Sequence, residues 1–221
     1  MSTDVSVPDA VFFDWDGTLV DSFAFLQSAH DHVLTDLGLP AREAGWFSFY
    51  FGKDRDFIYR DIYGEALVSE AMAGFEAFVA AYHVSALRPM VRAADVLAAF
   101  DARGVTQGIV TNKKGDFVRK EIEAFGWGAY FDGRVVGAGE ARVDKPSSAP
   151  LVKAVTDSGL EGRDIWFVGD SAADYLCAKE YGCPFILIAP PGQVIDFCEP
   201  QECLAVFDGC EALRDFISQL A

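Results

Sequence analysis

The sequence predicts an α/β protein: a doubly wound parallel sheet with a small all-helical domain inserted after its first strand. Three observations carry this. Four short runs rich in Val, Ile and Phe, AVFFDW (10–15), TQGIVTN (106–112), DIWFVGD (164–170) and PFILIA (184–189), are apolar throughout instead of alternating. That pattern suits strands covered on both faces. Helical patterns with small or polar starts and glycine stops separate the later runs. Residues 22–88, by contrast, contain no strand pattern at all.

The elements come in order. AVFFDW is the first strand, and the helical stretches FAFLQSAHDHVLTDLG and EALVSEAMAGFEAFVAAYH fill the insertion. The expected division is a core domain of residues 1–22 and 89–221 and a helical domain of residues 23–88, with joints near Asp21–Phe23 and Leu87–Met90. After Pro89, the pattern VRAADVLAAFDARG leads into the strand TQGIVTN. GDFVRKEIEAFGWG is the next helix, and GRVVGAG (133–139) is a weaker strand. PSSAPLVKAVTDSG, DIWFVGD, SAADYLCAKEYG and PFILIA continue the alternation, and LAVFD (204–208) is a second weak strand. Alternation of this kind is the signature of a parallel sheet with helices on both faces.

Composition narrows the function. With 221 residues, 51% hydrophobic, the chain can form one sizeable core with a smaller companion. No apolar run reaches membrane-spanning length. The start, MSTDVSVPDA, lacks the basic and apolar regions of a signal peptide, so a cytoplasmic location is expected. All five cysteines lie in the last quarter without a C-x-x-C pair, which reads as reduced thiols and not as a zinc site. Net charge is 18 − 34 = −16. Such a surface repels nucleic acid and anionic lipid, and an anionic substrate requires a strongly positive local site.

Chemistry-bearing residues gather at the strand ends. VFFDWDGTLVDS (11–22) closes the first strand with Asp14 and Asp16, followed by Gly17. Taken alone, Asp-Gly between apolar residues is a hairpin signal, but the next stretch of chain is helical in pattern and offers no second strand. Thr111 and Asn112 end the second strand, Lys145 precedes a helix that Pro146 is placed to start, Asp170 ends another strand, and Asp174 lies one turn into the next helix. Each has a structural explanation of its own: turn and cap for Thr111 and Asn112, a surface lysine for Lys145, an N-cap and first-turn acid for Asp170 and Asp174. Together, at successive strand ends where an open α/β sheet binds its ligand, they point to one site. Clustered carboxylates need protons or a cation to coexist, and hard oxygen ligands favour Mg²⁺. Thr111, Asn112, Lys145 and backbone N–H groups of the Asp16–Thr18 turn, Gly17 included, would then hold a phosphate.

The motifs DWDGTLVDS, VTN, DKP and GDSAAD resemble, in order and over essentially the whole chain, those of the haloacid dehalogenase superfamily. VTNK, FVGDS and AKEYGCP resemble its phosphoglycolate phosphatase-like branch, and the helical insertion resembles that branch's cap. The resemblance implies Asp14 as nucleophile and Asp16 as acid and base. It implies Mg²⁺ held by Asp14, the Asp16 carbonyl and Asp170 with Asp174 behind, and phosphate on Thr111 and Lys145. A small phosphorylated metabolite, phosphoglycolate-like or a sugar phosphate, is the implied substrate of a phosphatase working as a monomer or weak homodimer. A phosphomutase of the same superfamily is the alternative reading. A phospho-acceptor signalling domain is disfavoured, because it needs neither a cap nor a late acidic motif, and Asp16 disfavours a dehalogenase. The sequence departs from the branch at DKPSSAP and at PPGQ (190–193), which bears on substrate identity. In the insertion, Lys53 and Arg55 within FYFGKDRD are the cations expected to meet a substrate, with a solvated loop as the alternative.

Overall fold

The structure, a computed structural model, describes residues 5–50, 53, 55–190 and 195–220. The chain divides into two compact units, one of Met1–Asp21 with Arg88–Ala221 and one of Ser22–Leu87.

The first unit is built on a six-stranded sheet, every neighbouring pair parallel. Its strands are β1 (Ala10–Phe13), β4 (Thr106–Val110), β5 (Val135–Val136), β6 (Ile165–Gly169), β7 (Phe185–Ile188) and β8 (Ala205–Phe207), in the spatial order β5-β4-β1-β6-β7-β8. All six apolar runs of the sequence are present. β1 is buried along its whole length, and full burial of a side chain such as Phe12 or Phe13 contributes about 1.5–3 kcal/mol. Gly108 on β4 carries no side chain because the Phe12 ring occupies the space a Cβ would take. Around this sheet run α4 (Ala93–Asp101), α5 (Gly115–Phe125), the short α6 (Gly128–Phe131), α7 (Ala149–Asp157), α8 (Ala172–Tyr181) and α9 (Cys210–Gln219).

The order of strands reverses at β1: β4 and β5 extend the sheet to one side, and β6, β7 and β8 to the other. Connections diverging from a central strand leave a crevice beyond its carboxyl end, and that is where such sheets bind ligands. The chain leaves β1 through a tight turn, with the Gly17 N–H donating to the Val20 carbonyl at 2.9 Å. It then forms a short antiparallel pair, β2 (Val20–Asp21) with β3 (Arg88–Pro89). The Asp16–Gly17 hairpin therefore does not form against β1.

The helical unit comprises α1 (Phe23–Asp36), α2 (Arg55–Tyr63) and α3 (Val68–Ala86), joined by short 3-10 turns. Val33, Leu34, Phe47, Tyr50, Tyr59, Ile62, Tyr63 and Ala71 form its core. His30 is buried among the rings of Phe47, Tyr59, Tyr63 and Phe75, and its Nδ1 is 2.8 Å from the Tyr63 hydroxyl. Burial, helped by Arg42, pushes its pKa down to about 3, so it is a neutral core residue. Phe47 and Tyr50 are core residues too, whereas Phe49 is exposed. Among the described residues no helix is long and apolar enough to cross a membrane.

Candidate active site

The strand-end residues meet at the crevice beside β1. Asp14 follows β1 directly, Thr111 follows β4 and Asp170 follows β6. Lys145 arrives from the loop before α7, which begins at Ala149 with Pro150 in its first turn; Pro146 lies in the preceding turn and does not start the helix. Asp14, Thr111, Lys145, Asp170 and Asp174 are all buried.

Lys145 is the hub. Its ammonium donates to Asp14 Oδ1 at 2.7 Å, to Asp174 Oδ1 at 2.6 Å and to the Val110 carbonyl at 2.9 Å. Three acceptors match the three N–H bonds of an ammonium group. Burial, the largest influence, works against the charge, yet the two carboxylates outweigh it and hold the Lys145 pKa above the ordinary lysine value. The lysine is a fully engaged buried cation, not a surface residue.

Asp174 combines the two roles its position suggested. Its Oδ2 accepts from the Ser171 hydroxyl at 2.6 Å, the Ser171 N–H at 3.0 Å and the Asp170 N–H at 3.2 Å, closing a capping box at the start of α8. Its Oδ1 meanwhile accepts from Lys145. Such proximity requires Gly169, where a Cβ would lie 2.5 Å from the Asp174 side chain. Asp170 accepts from the Thr18 hydroxyl at 2.9 Å. Gly17 leaves room for it: φ there is +83°, and a Cβ would lie 2.5 Å from Asp170 Oδ2. With its N–H engaged by Val20, what position 17 supplies is conformation and clearance.

Asn112 is directed at the main chain of Lys145. Its Nδ2 donates to the Lys145 carbonyl at 2.9 Å and its Oδ1 accepts from the Lys145 N–H at 3.0 Å, so both ends of the amide fix the lysine loop. The Thr111 Oγ1 accepts from the Lys113 N–H at 3.3 Å, which leaves its O–H to donate elsewhere.

Asp16 is partly exposed, and its Oδ1 accepts from Lys113 Nζ at 3.1 Å. The same ammonium donates to Glu121 Oε2 at 2.9 Å. None of the strand-end motifs singles out Lys113 and Glu121 for a role, although a signal existed: Glu121 is the charged residue on the buried face of α5, alongside Val118 and Ile122. The two insertion cations are placed otherwise. Arg55 pairs with Glu76 of α3 at 3.3 Å, and Lys53 sits 5.8 Å from the centre of the Phe49 ring. Gly52 beside them and the PPGQ loop beyond Pro190 lie outside the described residues.

Oxygens of Asp14, Asp170 and Asp174 all lie within 4.8 Å of one another. Burial raises the Asp14 pKa to about 6, with Lys145 opposing and Asp174 adding to the rise. Burial, then Asp174 and Asp14, raise the Asp170 pKa well above its ordinary value. Lys145 alone thus does not balance the cluster. An oxygen-lined pocket with excess negative charge fits a hard divalent cation.

The model of haloacid dehalogenase-like hydrolases matches residues 11–188. The chain belongs to that family. As a haloacid dehalogenase-like hydrolase it is an enzyme, and its similar relatives are phosphatases. It is 35% identical to the phosphoglycolate phosphatase of Yersinia pseudotuberculosis serotype I over 185 residues, covering 80% of this chain and 78% of that protein. The phosphoglycolate phosphatase of Escherichia coli K12 is 29% identical over 217 residues, 86% of each chain. A crystal structure of a predicted phosphoglycolate phosphatase from Haemophilus somnus superposes with a TM-score of 0.80 at 23% identity, covering 96% of this chain and 99% of that one. A predicted phosphatase from Clostridium acetobutylicum gives 0.79 at 18% identity, covering 97% and 100%. These two likenesses show the shared α/β fold.

Proposed function

We propose that this hydrolase is a Mg²⁺-dependent phosphatase that cleaves a small phosphorylated metabolite through an aspartyl-phosphate on Asp14. The observation that carries the reading is Lys145 bridging Asp14 and Asp174 inside a buried group of three carboxylates. One cation among three acids fixes the rotamer of Asp14 while leaving a charge deficit for a metal to fill. Asp14, Asp170 and the Asp16 carbonyl would hold Mg²⁺, with Asp174 supporting from behind. Bound there, the ion would supply charge that screens the carboxylates from a phosphate dianion and would act as a Lewis acid toward the phosphoryl group.

The chain's own groups account for the remaining steps. A carboxylate oxygen of Asp14 forms a bond to phosphorus as the bond to the leaving oxygen breaks, and Asp16 gives that oxygen a proton. Asp16 then takes a proton from a water molecule, whose oxygen bonds to phosphorus as the Asp14–phosphorus bond breaks. Asp14 is thereby restored. The Thr111 hydroxyl and the main chain of the Asp16–Thr18 turn hold the phosphoryl oxygens, and the Lys145 ammonium joins them by exchanging one of its present acceptors for phosphate. Asn112 and Gly17 act indirectly, the first by fixing the lysine loop and the second by leaving room for Asp170.

The named activity of the relatives makes phosphoglycolate the first substrate to try, with sugar phosphates next. The helical unit serves as the cap that selects among them, with Lys53 and Arg55 as its candidate substrate cations. Hydrolysis of p-nitrophenyl phosphate should cease in excess chelator and return with added Mg²⁺, and a metabolite panel should rank phosphoglycolate high. Full activity in chelator would remove the metal from this reading. Loss of all turnover in Asp14→Asn is expected, and a near-wild-type rate would exclude the covalent route.

A further inference from the structure

The Lys113 side chain is nearly buried and lies between two carboxylates, Asp16 at 3.1 Å and Glu121 at 2.9 Å. Glu121 is wholly buried, and its Oε2 also accepts from the Trp15 indole N–H. Trp15 is buried in turn against the rings of Phe125, Trp127 and Phe131. The side chains of two consecutive residues, Trp15 and Asp16, are therefore tied to each other through Glu121 and Lys113. A buried ion pair of this sort is poor value for stability, since apolar residues of similar size often do as well or better. Its presence requires another reason.

We infer that Lys113 is a positioning residue that holds Asp16 in the orientation needed for proton transfer, with Glu121 and Trp15 fixing the lysine. The inference deepens the phosphatase reading above and rests on it. Asp16 follows the strand on a turn, its side chain a quarter exposed, and a short acid there is free to rotate unless something grips it. Lys113 grips one oxygen, Oδ1, and leaves Oδ2 to carry the proton to the leaving group and to accept one from water. The anchor is rigid because Glu121 is seated on α5, and because the Lys113 carbonyl accepts from the Ala138 N–H at 2.9 Å.

The test separates positioning from charge balance. Lys113→Met alone leaves Glu121 buried without its ammonium partner and risks misfolding, so the informative protein is the double variant Lys113→Met with Glu121→Gln. The glutamine keeps an acceptor for Trp15, and no buried charge is stranded. Two substrates are compared with the Mg²⁺-loaded enzyme. A simple alkyl phosphate needs a proton on its leaving oxygen, whereas 2,4-dinitrophenyl phosphate releases a stable anion without one. The double variant should unfold at a temperature close to wild type, yet lose on the order of a hundredfold in single-turnover cleavage of the alkyl phosphate. The first burst of dinitrophenolate should stay close to the wild-type rate. Lys113→Arg, which retains a donor to both acids, should recover part of the alkyl phosphate rate. Equal losses on the two substrates, or no loss on either, would overturn the inference. Asp16→Asn is run in parallel. If it shows the leaving-group split and the Lys113 variants do not, the inference falls and the phosphatase reading stands; if Asp16→Asn itself shows no split, the acid role of Asp16 falls and takes the inference with it.

Discussion

Replacing Gly17 with alanine places one methyl group at the most crowded point of the site. Two effects can be separated in advance. The first is conformational: at φ +83° an L side chain meets its own backbone, which costs about 1–2 kcal/mol. The second is a collision, because the new Cβ would lie 2.5 Å from Asp170 Oδ2 and 2.8 Å from its carboxyl carbon. An ordinary carbon–oxygen contact needs roughly 3.5 Å, so the Asp170 carboxylate or the turn has to move by about 1 Å. Either movement breaks the 2.9 Å bond from Thr18 and shifts a proposed metal ligand. Misplacement on that scale costs on the order of a hundredfold in rate. Gly104→Ala is the control: φ there is +72° and nothing lies within 4 Å of its Cβ, so it carries the conformational cost alone. Both variants should melt at least about 2–4 °C below wild type for each kcal/mol lost. Only Gly17→Ala should also lose activity on p-nitrophenyl phosphate and need more Mg²⁺ to reach half-maximal rate. If both variants kept wild-type turnover, or lost it equally, the packing argument for Asp170 would be refuted.

Lys145→Met strands two buried carboxylates, Asp14 and Asp174, and should destabilise the metal-free protein by about 3–5 kcal/mol in urea unfolding, besides abolishing turnover; a loss below about 1 kcal/mol would mean that the lysine is not their counter-ion. Asp14 has its pKa raised from 3.8 to about 6 by burial, so its contribution to stability is fully present below about pH 4 and lost as pH rises through 6. In chelator, the stability gap between wild type and Asp14→Asn should therefore move against wild type by about 3 kcal/mol between about pH 4 and 7.5, read from urea midpoints; a gap independent of pH would place the Asp14 titration elsewhere. Neutralising Lys53 and Arg55 together should raise KM for the preferred metabolite roughly ten- to a hundredfold, and more than for an aryl phosphate. Equal losses on both would assign Arg55 to its Glu76 contact and hence to the structure of the helical unit.

Much of the fold was legible because parallel strands must be apolar on both faces, which makes runs such as IWFVG stand out whatever surrounds them. The paired strands Val20–Asp21 and Arg88–Pro89 were not, since two residues carry no periodicity and Pro89 argues against a strand. α9 is not among the expected elements, although Cys210, Leu213 and Ile217 recur at helical spacing behind Gly209. At the site, the residue types that converge could be read from the strand ends. What each one touches could not. Asn112 looks like an anion ligand in sequence and proves to be bonded to the Lys145 main chain, because a side-chain amide serves either purpose equally well. Lys113 was hidden for the opposite reason: nothing in the sequence sets it apart from Lys114 beside it, and only the packing of Glu121 under Trp15 shows that it turns inward.

The central place of β1 also sets the order in which the molecule can assemble. Ala10 is made before both of its sheet partners, Thr106 on one side and Ile165 on the other. At roughly 5–20 residues per second, a ribosome needs about 8–30 seconds to make the interval between Ala10 and Ile165. Until β4 is made the four apolar residues of β1 have no strand to join, and until β6 is made one of their two flanks stays open. The helical unit, contiguous over residues 22–87 with a core of its own, emerges within the wait and can fold during it. Assembly of the sheet must come later, since closing long loops precedes the contacts that reward it. The strand bearing Asp14 is thus made before both strands that shelter it, and a nascent chain that stops short of Asp170 lacks two of the three carboxylates of the buried cluster.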